Sequence, residues 1–379
     1  MKNVSTLMDK AEHPIRAVQF GTGNFLRAFA DWMLEIVNEK TDWNGSVVMV
    51  KSTGHGSLSA LKGQDCVYTV ALRGLENGAP VERFSTVTCV SDALACPAEY
   101  DRVLALAKLP ELRFVLSNTT EAGIAWDERD EAADRPPRSF PAKLTQLLYA
   151  RAQAFDYAGN KGLIMLPMEL IDDNGGALRT LVVRYAEKWA LGERFLNWLD
   201  ESCAFASTLV DRIVTGKPAD ADALCAKLGV QDDGLVAAEP YMSWVIACDR
   251  EIEEELPLQK AGLPVIYAQD LAPYRTRKVR RAGSAAFPSS SVLRPTARAK
   301  CVCSTARTLP LCPRRTLRGS TSCATRCSIP ISADSSAKRW KKRFCLPSIS
   351  RKRNCMPLQI PCWSALPTHI SITVCWQFA

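Results

Sequence analysis

Between Ile15 and Val50 the sequence spells a strand, a glycine turn, an amphipathic helix and a second strand, an order that few folds accept. Ile15-Arg-Ala-Val-Gln-Phe20 is a short apolar strand pattern that runs straight into Gly21-Thr22-Gly23-Asn24-Phe25-Leu26-Arg27. After the turn, Phe25, Leu26, Phe29, Trp32, Met33, Ile36 and Val37 recur at helical spacing, and Ser46 to Val50 reads as the next strand. Further buried strands are expected at Arg113 to Leu116, ending in Ser117-Asn118-Thr119-Thr120-Glu121, and at Leu163 to Leu166, ending at Pro167 and Glu169. Helices are expected over Ala142 to Phe155 and Ala177 to Leu191. Strands alternating with helices imply an α/β fold with a mostly parallel sheet covered on both faces.

In such a sheet a Gly-x-Gly turn lets the backbone bend tightly and approach a pyrophosphate resting on the next helix N-terminus. The pattern is incomplete here. Leu26 stands where the third glycine of the usual fingerprint falls, and the second strand ends in Lys51-Ser52-Thr53 rather than in an acid. An ordinary strand-to-helix turn has the same spacing. Without that acid the residues leave NAD and NADP both open, since Lys51 can face a 2′-phosphate.

Five segments in order carry a resemblance: Gln19-Phe-Gly-Thr-Gly-Asn-Phe-Leu-Arg27-Ala-Phe, Ser117-Asn-Thr-Thr-Glu121-Ala-Gly, Glu169-Leu-Ile-Asp-Asp-Asn174-Gly, Ser207-Thr-Leu-Val-Asp211-Arg-Ile-Val and Tyr274-Arg-Thr-Arg-Lys278-Val-Arg280. From about residue 14 to Arg280 the chain resembles the mannitol dehydrogenase family. The resemblance implies a Rossmann-type domain followed by a helical domain, and zinc-independent reduction of a keto sugar or sugar acid by a nicotinamide nucleotide. Carried over residue by residue, Gly21, Thr22, Gly23, Asn24 and Phe25 match the nucleotide loop, and Asn118, Thr119, Thr120 and Glu121 the strand end near the nicotinamide. Asp211, Glu169 and Asn174 match the substrate side, and Lys278 the catalytic lysine. Hydride delivery to a ketone leaves an alkoxide that must be protonated, and a lysine whose pKa is lowered by desolvation can serve as that acid. Read without the family, Asp211 beside Arg212 is an ordinary ion pair, and Lys278 among Arg275, Arg277, Arg280 and Arg281 a solvated basic face. The family's asparagine and histidine, five and eight residues past the lysine, are here Gly283 and Ala286, and neither can donate to an oxyanion from a side chain.

From Arg281 onward the composition changes abruptly. The chain of 379 residues has a net charge of +8, but residues 281–379 hold 17 of its 48 Lys+Arg against one acid, Asp334. They also hold nine of its 15 cysteines. No helical period is sustained there. Read one base out of register, the codons for 337–369 and beyond can spell more than thirty residues of acidic, amphipathic, family-like sequence. The expected organisation is therefore a dinucleotide-binding domain over 1–270, the start of a catalytic domain over 271–280, and a frameshifted, non-native tail over 281–379, leaving the chain inactive as written. Two other readings compete: a redox-inactive nucleotide-binding remnant, and a nucleic-acid binder using the basic tail with Trp340, Phe344 and Trp363, for which no motif speaks. Irregular cysteine spacing and three histidines argue against a metal site. No apolar run approaches the roughly 20 residues that span a bilayer, and the first residues lack the apolar core of a secretory signal, so a cytoplasmic protein acting on a small molecule is expected. The oligomeric state is not legible.

Overall fold

The computed structural model describes residues 1–6, 10–52, 56–119 and 122–275. Six strands form one sheet and are numbered in chain order: β1 Ile15–Phe20, β2 Ser46–Lys51, β3 Val90–Ala95, β4 Phe114–Ser117, β5 Ile164–Pro167 and β6 Ala204–Phe205. They lie in the order β3-β2-β1-β4-β5-β6, and every neighbouring pair is parallel. That is the doubly wound Rossmann order, in which the chain reverses direction of travel across the sheet between β1 and β4 and leaves a crevice outside their carboxyl ends.

Alternating strand residues supply the two faces. Ala17, Met49, Phe114, Leu116, Ile164 and Leu166 point to one side, where Phe29, Met33 and Val37 of the first helical run cover them. Val18, Phe20, Val48, Val50, Val115 and Met165 point to the other, against Tyr100, Leu144, Leu147, Leu178 and Val182. Burying each large apolar side chain contributes about 1.5–3 kcal/mol, so both faces are needed to hold the sheet.

The helices start where their caps dictate. Phe140–Ala154 begins two residues before the expected Ala142 because Ser139 accepts the Ala142 N–H at its cap and Pro141 pre-sets the first turn. Asn174–Lys188 likewise starts earlier and ends earlier than expected, between Asp173 and Ala190, both at positive φ. Inside the second face Arg151 is 1% exposed and spends its guanidinium on four carbonyls: Lys161 (2.7 Å), Ala107 (3.0 Å), Leu109 (2.8 Å) and Leu112 (2.7 Å).

Two mixed sheets, with both parallel and antiparallel pairs, flank this core and are not expected from the sequence. Between β2 and β3 the chain makes a hairpin, Tyr68–Glu76 and Ala79–Val87, whose turn residues Asn77 and Gly78 both take positive φ, the twist a two-residue hairpin loop requires. Val236–Ala238 pairs with it in parallel, and Val214–Gly216 closes that sheet. A separate sheet joins Ser207–Asp211, Ser243–Ala247 and Val265–Ala268. Buried Asp232 locks the hairpin to the later chain by accepting from Thr69 N (2.6 Å), Gln64 Nε2 (2.7 Å) and Gly234 N (2.9 Å). Trp43 Nε1 donates to Glu255 O (3.0 Å). Lys278, Gly283, Ala286 and the whole of 281–379 lie outside the described residues.

Candidate dinucleotide-binding site

The turn after β1 sits at the mouth of the crevice. Gly21 donates to Val50 O (2.9 Å) at φ +132°, a conformation that side chains rarely adopt. A Cβ there would lie 2.8 Å from Leu26 Cδ1 and 3.2 Å from Asn118 O. Leu26, 1% exposed, thus fills the space that Gly21 vacates, which is why an apolar residue stands in the third glycine's place. Gly23 differs. It is exposed, has φ −70° and ψ 163°, and a Cβ on it would meet no atom within 4 Å. It precedes a continuous helical run, Asn24–Leu26, Arg27–Asp31 and Trp32–Lys40, and offers no capping side chain. The first N–H groups of that run thus have no side-chain cap, at the positive end of the helix dipole, where negative charge is favoured.

Thr22 is half-buried beside Gly23, and Asn24 is exposed with its Oδ1 accepting from Arg27 Nη2 (2.6 Å). Phe25 stacks on Phe29, centroids 4.9 Å apart. Across the crevice Asn118 donates its backbone N–H to Phe20 O (3.2 Å) and its amide to Met168 O (2.7 Å), binding the ends of β1, β4 and β5 together. Thr119 donates from backbone and hydroxyl to Glu169 Oε1, both at 2.9 Å, and Ser117 Oγ donates to Glu169 Oε2 (3.0 Å). Burial raises the Glu169 carboxyl above the usual range, and the bonds from Thr119 and Ser117 pull it back. Thr120 and Glu121 lie outside the described residues.

Glu169 and Asn174, expected on the substrate side, are 2% and 1% exposed, with their polar atoms already spent on the protein. The Asn174 amide donates to the carbonyls of Pro167 (3.0 Å), Glu169 (3.0 Å) and Thr208 (3.1 Å) and accepts from Thr208 N (2.8 Å). Both residues therefore tie together the chain segments after β4, after β5 and at Thr208. Asp211, by contrast, is half-exposed at the end of the strand Ser207–Asp211, opposite Ser243. Arg212 turns inward: it donates to Ala28 O (2.6 Å) and Glu239 O (3.0 Å) and lies 4.4 Å from the Trp32 ring, and burial lowers its pKa to about 10.

Sequence reasoning passed over Gln19, Asp31 and Tyr68, which meet under the turn. Their only signal was a polar residue inside an apolar strand and an acid at Asp31 inside the apolar helical stretch 25–37, which Glu35 shares. Among the described residues no group of three or more metal-ligating side chains converges, and no helix is long and apolar enough to cross a membrane.

A parallel sheet in this order, with a glycine turn leading into an uncapped helix at its switch point, is a Rossmann-type domain. The chain belongs to the mannitol dehydrogenase family: residues 15–260 match the mannitol dehydrogenase Rossmann domain. Over 269 residues it is 48% identical to the altronate oxidoreductase of Yersinia enterocolitica serotype O:8, covering 70% of this chain and 56% of that one. Over 270 residues it is 44% identical to the altronate oxidoreductase of Bacillus subtilis strain 168, covering 71% and 56%. The chain thus matches little more than half the length of these curated relatives. Among solved structures it resembles a D-sorbitol dehydrogenase in substrate-free form (TM-score 0.58, 24% identity, 72% of this chain and 60% of that one). It also resembles the ternary complex of Pseudomonas fluorescens mannitol 2-dehydrogenase with NAD and D-mannitol (TM-score 0.59, 20% identity, 70% and 55%).

Proposed function

We propose that this chain carries the dinucleotide-binding half of an altronate oxidoreductase, an NAD-dependent enzyme interconverting tagaturonate and altronate, and that its catalytic half is lost to a shift of reading frame near Arg281. The open space over Gly23 at an uncapped helix, in a chain 48% identical to an altronate oxidoreductase, is the observation that carries this reading. The turn fits the group: Gly21 to Phe25 would hold the pyrophosphate, and Asn118 and Thr119 the strand end beside the nicotinamide. Bound there, the nicotinamide supplies or accepts the hydride. Glu169 and Asn174 keep the floor of the crevice rigid, and Asp211 faces the substrate. Lys278, in an in-frame chain, gives the proton that the developing alkoxide needs and takes it back in oxidation. Six cysteines among the described residues are free thiols, five of them buried, which supports a reducing, cytoplasmic setting.

Calorimetric titration of NADH and NADPH into the wild type and Gly23→Val tests the first half of the reading. Both nucleotides are used because Lys51, not an acid, ends β2. Binding to the wild type and its loss in the variant are expected, and equal affinity in both proteins refutes the assignment. Sequencing the codons for Lys278 to Gly283, restoring the frame and assaying tagaturonate reduction tests the second half. A restored chain that binds NADH but never turns over would favour the redox-inactive remnant.

A further inference from the structure

Beneath the glycine turn lies an acid that the proposed chemistry does not use. Asp31 closes a π-helical stretch, Arg27–Asp31, a departure from regular helix often found at functional sites, and it is fully buried. Arg27, the cation whose charge it feels, turns its guanidinium to Gly234 O and Asn24 Oδ1 instead. The Asp31 Oδ2 accepts from the Tyr68 hydroxyl (3.0 Å) and from Gln19 Nε2 (3.3 Å), while Oδ1 has no partner. The same Gln19 Nε2 donates to Gly21 O (3.1 Å), and Gln19 Oε1 is also without a partner. Glu35, the next acid along the helix, is already engaged by Thr88 and Cys89.

The geometry matters because an amide can present either end. Asp31 Oδ2 already accepts from the Tyr68 hydroxyl, so whether or not the unpartnered Oδ1 carries a proton, Oδ2 takes only the NH₂ end of Gln19, and that end is the one Gly21 O needs. Were the amide reversed, its oxygen would face the Gly21 oxygen, and the Gly21–Thr22 peptide, free to rotate about a glycine, would lose its anchor. With Gly21 O held downward, the Thr22 N–H points the opposite way, as a trans peptide demands. We propose that Asp31 is a positioning residue for the dinucleotide: through Gln19 it fixes the carbonyl of Gly21 and with it the turn that carries Gly23. This rests on the reading of Gly21 to Phe25 as the pyrophosphate site.

The test is a double-mutant cycle on the full chain, with NADH affinity and hydrogen exchange of the Gly21 N–H as readouts. Asp31→Leu should weaken NADH about tenfold, the worth of one buried hydrogen bond, and speed Gly21 exchange by a similar factor. Asp31→Asn, whose oxygen can still accept from Gln19, should recover most of both. Gln19→Leu should lose as much as Asp31→Leu, and the two together little more than either. Additive losses, or unchanged NADH affinity in Asp31→Leu, would overturn the proposal while leaving the site assignment standing. A wild type that does not bind NADH would overturn both. Should Asp31→Leu fail to fold, Gln19→Leu must by itself show the tenfold loss, and wild-type affinity in that variant overturns the proposal.

Discussion

Alanine placed at Gly21 would have to hold φ near +132°, which costs a non-glycine residue about 1–3 kcal/mol. Its Cβ would also press within 2.8 Å of Leu26 Cδ1 and 3.2 Å of Asn118 O. Leu26 is buried and the second contact is backbone, so neither yields cheaply, and overpacking adds about 1–3 kcal/mol. The total, about 2–6 kcal/mol, corresponds to a fall in Tm of about 4–24 °C for a domain of this size. Gly23→Ala is the control. Its φ of −70° suits any residue and its Cβ meets nothing. A slightly poorer helix cap and a less flexible unfolded chain nearly cancel, leaving stability within about 0.5 kcal/mol. Yet that Cβ enters the space assigned to the pyrophosphate, so NADH affinity should fall at least about tenfold. Thermal melts and NADH titrations on the two variants separate strain in the protein from collision with the ligand. A Gly21→Ala protein that melts with the wild type, or a Gly23→Ala protein as unstable as Gly21→Ala, would refute the reasoning.

Burial pushes the Asp31 carboxyl up to about 7, so the folded chain keeps a proton that the unfolded chain releases near pH 4. Stability from this group is full below pH 4 and is lost as pH rises through 7, by about 4 kcal/mol in all, and Asp31→Asn should flatten that slope in denaturant melts at pH 5 and pH 8. Arg151→Met strands the carbonyls of Ala107, Leu109, Leu112 and Lys161 and should cost about 3–5 kcal/mol in urea unfolding; NADH affinity should change less than twofold. In a frame-restored chain Lys278→Ala should lower kcat for tagaturonate reduction by about 10² to 10⁴ with nucleotide binding nearly unchanged, and wild-type turnover would remove Lys278 from the mechanism.

The parallel core was legible because its strands are apolar runs of four to six residues and its helices keep a strict stripe. Boundaries slipped by one to three residues where a cap or a positive φ, rather than periodicity, sets the end, as at Ser139 and Asp173. The hairpin 68–87 escaped although Asn77-Gly78 marks its turn, because its second strand, Ala79–Val87, is mostly exposed and shows little apolar pattern. In the candidate site, Gly21 and Gly23 were read from turn chemistry, and Asn118 and Thr119 only from the resemblance to the family. The Gln19–Asp31–Tyr68 cluster did not, since it joins residues up to 49 positions apart through a hairpin that had not been read.

The contacts that close the domain come late in the chain. Trp43 waits for Glu255 and Arg27 for Gly234, at separations of 212 and 207 residues, and the strand Ser243–Ala247 completes its sheet only when Val265–Ala268 arrives. During synthesis the contacts of Arg27 with Gly234 and of Trp43 with Glu255 therefore cannot form until residues 234 and 255 have been made. None of these partners, among the described residues, lies beyond Ala268. At about 5–20 residues per second the 99 residues after Arg280 take about 5–20 s to add, ample time for a domain to form on the ribosome. Whatever frame is read after Arg280, each of those late partners has been translated before the composition of the chain changes.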